Sequence, residues 1–167
     1  MNCLTLASSL FFLLLVGSAT SHLPDNIQCI ADDSICDDTK EVRWFLDAFP
    51  NGDDGDDGHP IHINEGDCVK FNYRFPRCPS TGRHDIVQFG SADDFTSCDF
   101  EHGVRVGDDI AAGSTCQNNF SCTIPFPDKG TYWYGCSKGT HCAAGMKVMV
   151  SVTPAPANRN LLRASNK

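Results

Sequence analysis

Ten cysteines in a chain of 167 residues are the feature that most restricts how this sequence can fold. This density is typical of proteins from oxidising compartments, where disulfides persist, and is unusual in the reducing cytosol. Removal of an N-terminal targeting segment would take Cys3 with it and leave nine cysteines. An odd number leaves one thiol without a disulfide partner, and a lone thiol in an exported protein indicates a specific chemical role.

Residues 1–21 have the pattern of a secretory signal peptide. Residues 4–16 form an apolar run that is too short to span a bilayer comfortably, and residues 19–21 are small, as a signal peptidase requires. The mature chain is therefore expected to begin near His22 and to be secreted.

The charge of the chain restricts its partners. A net charge of −8 argues against binding to nucleic acid or to an anionic membrane surface. No second apolar stretch follows Val152, so no transmembrane anchor is expected. We expect a soluble monomer.

Short runs of alternating apolar and polar residues predict an all-β domain. Glycine and proline turns separate these runs, and only residues 92–100 suggest a short helical turn. This pattern is typical of a sandwich of two antiparallel sheets. The predicted strands are 42–49, 61–63 continuing after a turn into 69–73, 86–89, 131–135 and 146–153. The predicted organisation is a signal peptide over 1–21, an irregular cysteine-containing lead-in over 22–41, the domain over 42–153 and a disordered tail over 154–167.

Residues 51–60 are rich in aspartate and glycine and cannot form a regular element. Clustered carboxylates suit a calcium ion, but the alternating ligands and closing glutamate of a calcium loop are absent. We therefore expect an exposed acidic loop.

The segment from Tyr132 to Met146 contains most of the candidate metal ligands. Cys136, His141 and Met146 are spaced five residues apart between two predicted strands. Thiolate, imidazole and thioether suit copper, and two histidines with one cysteine and a weak axial methionine form a blue copper site. The second histidine must come from elsewhere, and His84, at the start of the strand 86–89, is the best candidate.

The spacing of Cys136, His141, Cys142 and Met146 resembles that of the phytocyanins, a plant-type group of the cupredoxin family. Three upstream segments are similar to phytocyanin segments as well, and the resemblance covers about residues 42–153. It implies a cupredoxin-like Greek-key β-sandwich braced by disulfides. The three segments are 65–72, 84–87 and 95–100.

The resemblance also implies roles for individual residues. One type 1 copper ion would be held by His84, Cys136, His141 and Met146, and a disulfide between Cys98 and Cys142 would brace the metal loop. Six further cysteines have no pairing that the sequence decides. They are Cys29, Cys36, Cys68, Cys78, Cys116 and Cys122. Pairing of Cys29 with Cys36 and of Cys116 with Cys122 is only a guess from their proximity.

The expected function is one-electron transfer rather than enzymatic catalysis, with redox proteins or small extracellular redox molecules as partners. Two alternatives remain open. One is an extracellular copper-binding or cell-surface interaction module without redox turnover. The other is an oxidative polysaccharide-cleaving enzyme in which an N-terminal His22 chelates copper.

The sequence also suggests the exposure or role of four further residues. His141 is expected to expose a ring edge as the electron portal, because glycine precedes it in the segment 139–141. Asp85 is either an acceptor that supports the neighbouring His84 or a solvated surface group. His62 and His102 are expected to be structural or exposed.

One modification site is expected as well. Residues 119–121 form an N-glycosylation sequon, which predicts glycosylation of Asn119.

Overall fold

The computed structural model describes residues 29–30, 33–44, 60–73, 83–111 and 120–157. These ranges contain eight strands and one short helix. The elements are β1 Thr39–Trp44, β2 Ile61–Asn64, β3 Cys68–Tyr73, β4 Arg83–Gln88, α1 Ala92–Ser97, β5 Val104–Ala111, β6 Phe120–Pro125, β7 Gly130–Gly135 and β8 Lys147–Thr153.

The strands form two sheets. One has three strands in the order β1-β3-β6, and the other has five in the order β2-β8-β7-β4-β5. The all-β prediction is confirmed, but the expectation that both sheets are antiparallel is corrected. β1 runs parallel to β3, and β2 runs parallel to β8. The period of two that marks a strand is the same for either direction, so alternation alone does not reveal it.

The two sheets share one core, as the alternation predicts. Val69, Phe71 and Tyr73 of β3 are buried, while Lys70 and Asn72 between them are partly exposed. On the other sheet Val148, Val150 and Val152 of β8 are buried in the same way. The Phe71 ring, in the three-stranded sheet, meets the Tyr134 ring, in the five-stranded sheet, with 5.6 Å between centroids.

The turn between β2 and β3 moves the chain from one sheet to the other. Gly66 has φ of 89°, a left-handed conformation that favours glycine. The Asp67 carboxylate accepts from the backbone N–H of Asn64 at 2.8 Å, which closes the turn. The predicted pair of strands around residues 65–67 is therefore confirmed, with its two halves in different sheets.

Two strands were not predicted, and both lie at sheet edges. β5 contains Gly107 followed by two aspartates and lacks a clean alternation. β6 ends in Pro125, which an edge strand tolerates because its outer side needs no donor. β1 begins at Thr39, three residues before the predicted strand.

Three disulfides join described cysteines. Cys29 pairs with Cys122, Cys36 with Cys68, and Cys98 with Cys142. The guess that Cys29 pairs with Cys36 and Cys116 with Cys122 is wrong. Ile30 forms a β-bridge with Thr123, so Cys29 lies beside β6. Cys36 is instead linked to Cys68, the first residue of β3.

Several predicted features lie outside the described residues. They are the signal peptide 1–21, His22, residues 45–49 of the first predicted strand, residues 51–59 of the acidic loop, Cys78, Cys116, Asn119 and residues 158–167 of the tail. Among the described residues, no helix has the length and apolar character needed to cross a membrane.

Candidate metal centre

The five-stranded sheet brings distant parts of the sequence to one end of the sandwich. β4 and β7 are antiparallel neighbours, so His84 near the start of β4 lies close to Cys136 just after β7. β7 and β8 are also antiparallel, and Gly135 is paired with Lys147. Met146 therefore lies beside Cys136, and the connection between them carries His141.

Three of the predicted ligands form a tight cluster. The possible ligand atoms of His84, Cys136 and His141 all lie within 4.8 Å of one another. The Cys136 Sγ atom is 3.3 Å from Nδ1 of His141 and 3.8 Å from Nδ1 of His84. Nitrogen and sulfur ligands bound to one metal ion at about 2.0–2.3 Å are separated by distances of this order. Among the described residues this is the one group of three His, Cys, Asp or Glu side chains close enough to bind a metal.

The protein environment sets the protonation states of the cluster. Burial, together with the nearby charge of His141, lowers the pKa of His84 from 6.5 to about 4. Burial also lowers the pKa of His141. Both rings are thus neutral near pH 7, which is the form that binds a metal. Burial raises the pKa of the Cys136 thiol to about 11, so a metal ion must displace its proton.

Met146 is fully buried at the same end of the core. Its backbone forms hydrogen bonds with both other ligand residues of the loop. The Met146 N–H donates to the His141 carbonyl at 2.9 Å, and the Met146 carbonyl accepts from the Cys136 N–H at 3.1 Å. Within the loop, Gly139 and Gly145 have φ of 51° and 101°, values that favour glycine. These turns allow three side chains from eleven consecutive residues to reach a single region.

Contacts with α1 also hold the metal loop in place. Cys98, in a left-handed conformation at the end of α1, is disulfide-bonded to Cys142, which is the pair that the resemblance implied. Lys147, directly after Met146, donates through Nζ to the carbonyls of Phe95 and Thr96 at 2.8 and 3.2 Å. The lysine thus occupies free carbonyls at the C-terminal end of α1, where a cation is favourable.

The glycine before Cys136 is required by close packing. A Cβ atom on Gly135 would lie 2.6 Å from the buried Phe89 ring. Any larger residue would displace that ring or move Cys136.

The donor set fits a single type 1 copper ion. Two imidazoles and one thiolate are the trigonal donor set of a blue copper site, and Met146, which is buried and hydrogen-bonded through its backbone to Cys136, would supply a weak thioether ligand. His62 and His102 are exposed and lie outside this cluster, as expected.

The structure also decides the environment of Asp85. Its side chain is fully buried, so it is not a solvated surface group. It contacts Ser137, Arg105 and Lys138, of which none was singled out from the sequence. The available signal was position alone, since Asp85 follows one predicted ligand and Ser137 follows another.

Comparison with known proteins identifies similar structures but no sequence relative. No protein-family model matches the chain, and no curated protein matches it. A cucumber stellacyanin in its copper(II) form is 17% identical, with a TM-score of 0.43 over 71% of this chain and 99% of that one. For a spinach plantacyanin the identity is 19% and the TM-score 0.45, over 69% and 99%. For auracyanin B the values are 22% and 0.48, over 76% and 95%. All three are cupredoxins.

Proposed function

We propose that this chain is a secreted blue copper protein that carries one electron at a time. The observation that carries the proposal is the convergence of His84, Cys136 and His141 within 4.8 Å, beside a buried methionine. Copper, when bound, supplies a one-electron couple between its two oxidation states. Everything else required for electron transfer must come from the residues of the chain.

The first requirement is that the ligands move little when the charge of the site changes. His84 and Cys136 are buried, and the loop between Cys136 and Met146 is held by its own hydrogen bonds and by the Cys98–Cys142 disulfide. Such bracing keeps the imidazole and thiol groups in nearly the same positions in both states.

The second requirement is a route to the surface. His141 is partly exposed, whereas His84, Cys136 and Met146 are buried. The residues that flank it in the loop are small and exposed: Gly139, Thr140, Ala143 and Ala144. We propose that electrons enter and leave through the His141 ring, exchanged with a redox protein or a small extracellular redox molecule.

Secretion is part of the proposal. Three disulfides among the described cysteines support folding in an oxidising compartment. Expression in a eukaryotic secretory host tests this directly: the mature chain should lack residues 1–21, and glycosidase treatment should reduce its mass if Asn119 is glycosylated. Retention of the N-terminal segment would contradict export through a cleaved signal peptide.

The decisive experiment for function is copper loading of the secreted protein. Wild type should turn blue with copper(II), because a copper-bound thiolate absorbs strongly in the visible range, whereas Cys136→Ser should stay colourless. His62→Gln, which removes an exposed histidine outside the cluster, is the matched control and should stay blue. A colourless wild type would overturn the proposed site.

Voltammetry then separates an electron carrier from the alternative functions. A reversible one-electron wave supports electron transfer. A blue protein without such a wave indicates a copper-binding or interaction module instead.

A further inference from the structure

Asp85 lies between the two chain segments that hold the histidine and cysteine ligands. Its carboxylate is fully buried and binds Ser137 twice. Oδ1 accepts from the Ser137 backbone N–H at 2.7 Å, and Oδ2 accepts from the Ser137 hydroxyl at 2.6 Å. Since Asp85 follows His84 and Ser137 follows Cys136, these two bonds join the immediate neighbours of two ligands.

The main chain of Asp85 is held as firmly as its side chain. Its carbonyl oxygen accepts from the Trp44 indole N–H at 2.9 Å. Trp44 is fully buried in the opposite sheet and packs edge-on against Phe71. This bond anchors the start of β4 to the core, so the Asp85 carboxylate reaches Ser137 from a fixed position.

Two cations balance the charge of this carboxylate. The Arg105 guanidinium, from β5, is 3.3 Å from Oδ2, and the Lys138 ammonium, from the metal loop, is 3.4 Å from the same oxygen. The Arg105 side chain is 53% exposed, whereas that of Asp85 is 0% exposed. A buried carboxylate is costly without compensation, and here the compensation comes from two elements that flank the metal centre.

We propose that the charge of the buried Asp85 carboxylate, held at this position by Ser137 and offset by Arg105 and Lys138, adjusts the reduction potential of the centre. The inference rests on the proposed function, because it concerns the same copper site. Hydrogen bonds next to metal ligands orient those ligands and tune the metal. A negative charge beside the site favours the more positively charged oxidised state, and the two cations weaken that effect.

Two substitutions separate the charge of Asp85 from its hydrogen bonds. Asp85→Asn keeps an oxygen that can accept from the Ser137 N–H but removes the charge, so the reduction potential should shift to more positive values. Arg105→Gln leaves the carboxylate less compensated, so the potential should shift to more negative values. Lys40→Gln, which removes an exposed cation from the other sheet, controls for a general change in surface charge and should move the potential less than either.

A third substitution tests, without copper, whether the Asp85 carboxylate is bound to Ser137. In metal-free Asp85→Ala, the Ser137 amide should exchange its hydrogen faster than in wild type, whereas Asp85→Asn should retain protection. In competition with a chelator, Asp85→Ala should bind copper about 10–100-fold more weakly than wild type. If Asp85→Ala does not fold, the opposite shifts of Asp85→Asn and Arg105→Gln decide the question.

The outcomes distinguish this inference from the proposed function. A wild type that is not blue refutes the copper site itself. If wild type is blue, two results refute the role of Asp85 alone. One is that Asp85→Ala protects the Ser137 amide as well as wild type does. The other is that the potentials of Asp85→Asn and Arg105→Gln shift in the same direction or do not shift.

Discussion

The backbone N–H of Cys136 donates to the carbonyl oxygen of Met146 at 3.1 Å, so a main-chain hydrogen bond links the residues that carry the thiol and the thioether. The bond comes directly after the last pair of the β7–β8 ladder, Gly135 with Lys147. This bond continues the strand pairing, so the β7–β8 ladder helps to set the position of the proposed axial ligand, together with the bond from the Met146 N–H to His141 in the loop.

Replacement of Met146 should change the reduction potential without preventing copper binding. In Met146→Gln a harder amide oxygen replaces the soft thioether and favours copper(II), so the potential should fall. Protein-film voltammetry measures the change. Met149→Gln is the matched control, because Met149 lies on the opposite face of β8, and its potential should stay close to that of wild type. An unchanged or higher potential in Met146→Gln would count against Met146 as the axial ligand.

The Cys98–Cys142 disulfide should stabilise both the fold and the metal loop. Its two cysteines are 44 residues apart, and loss of such a crosslink costs about 2–4 kcal/mol. Replacement of both cysteines by alanine should lower the melting temperature and speed the release of copper to a chelator, because Cys142 directly follows His141.

A second disulfide provides the control for this experiment. Cys36–Cys68 joins residues 32 apart on the side of the three-stranded sheet. Its double alanine variant should also melt at a lower temperature but should release copper at the wild-type rate. Equal copper release in both double variants would make Cys98–Cys142 a support of the fold alone.

The metal-free protein should lose stability as the pH falls from about 6.5 toward 4. An unfolded histidine binds a proton near pH 6.5, whereas the pKa of folded His84 is lowered to about 4. Between these values the unfolded state binds more protons, so acid favours unfolding. The contribution is fully present above about pH 6.5.

Chemical denaturation at several pH values measures this effect. His84→Gln should reduce the loss of stability across the window, whereas His62→Gln keeps His84 and should retain it. The same slope in wild type and His84→Gln would show that the burial of His84 does not control this part of the pH dependence.

The cysteine count predicts a fourth disulfide. Three disulfides and Cys136 account for seven of the nine cysteines that remain without Cys3, which leaves Cys78 and Cys116. Arg83 and Ala111 are paired at the end of the β4–β5 ladder. Cys78 lies five residues before Arg83, and Cys116 lies five residues after Ala111. We expect peptide mapping of the unreduced protein to find Cys78 linked to Cys116. Two free thiols at these positions would contradict the prediction.

The sequence determined the local features of this protein. Alternation along residues 69–73 and 146–153 predicted strands because burial on one face has a period of two. The Cys-His-Met spacing predicted a metal loop because the residues that bind the metal lie close together in sequence. An odd cysteine count indicated one special thiol without saying which cysteine it is.

The tertiary structure decided what depends on distant contacts. The parallel pairing of β1 with β3, and the pairing of Cys29 with Cys122, join residues far apart in sequence, and local patterns carry no signal for either. Asp85 is the clearest example, since the sequence left open whether it supports His84 or is solvated. In the fold it is buried and contacts a serine and two cations from other segments. The cost of burying a charge is offset only when such partners are present, and the fold brings them together from distant segments.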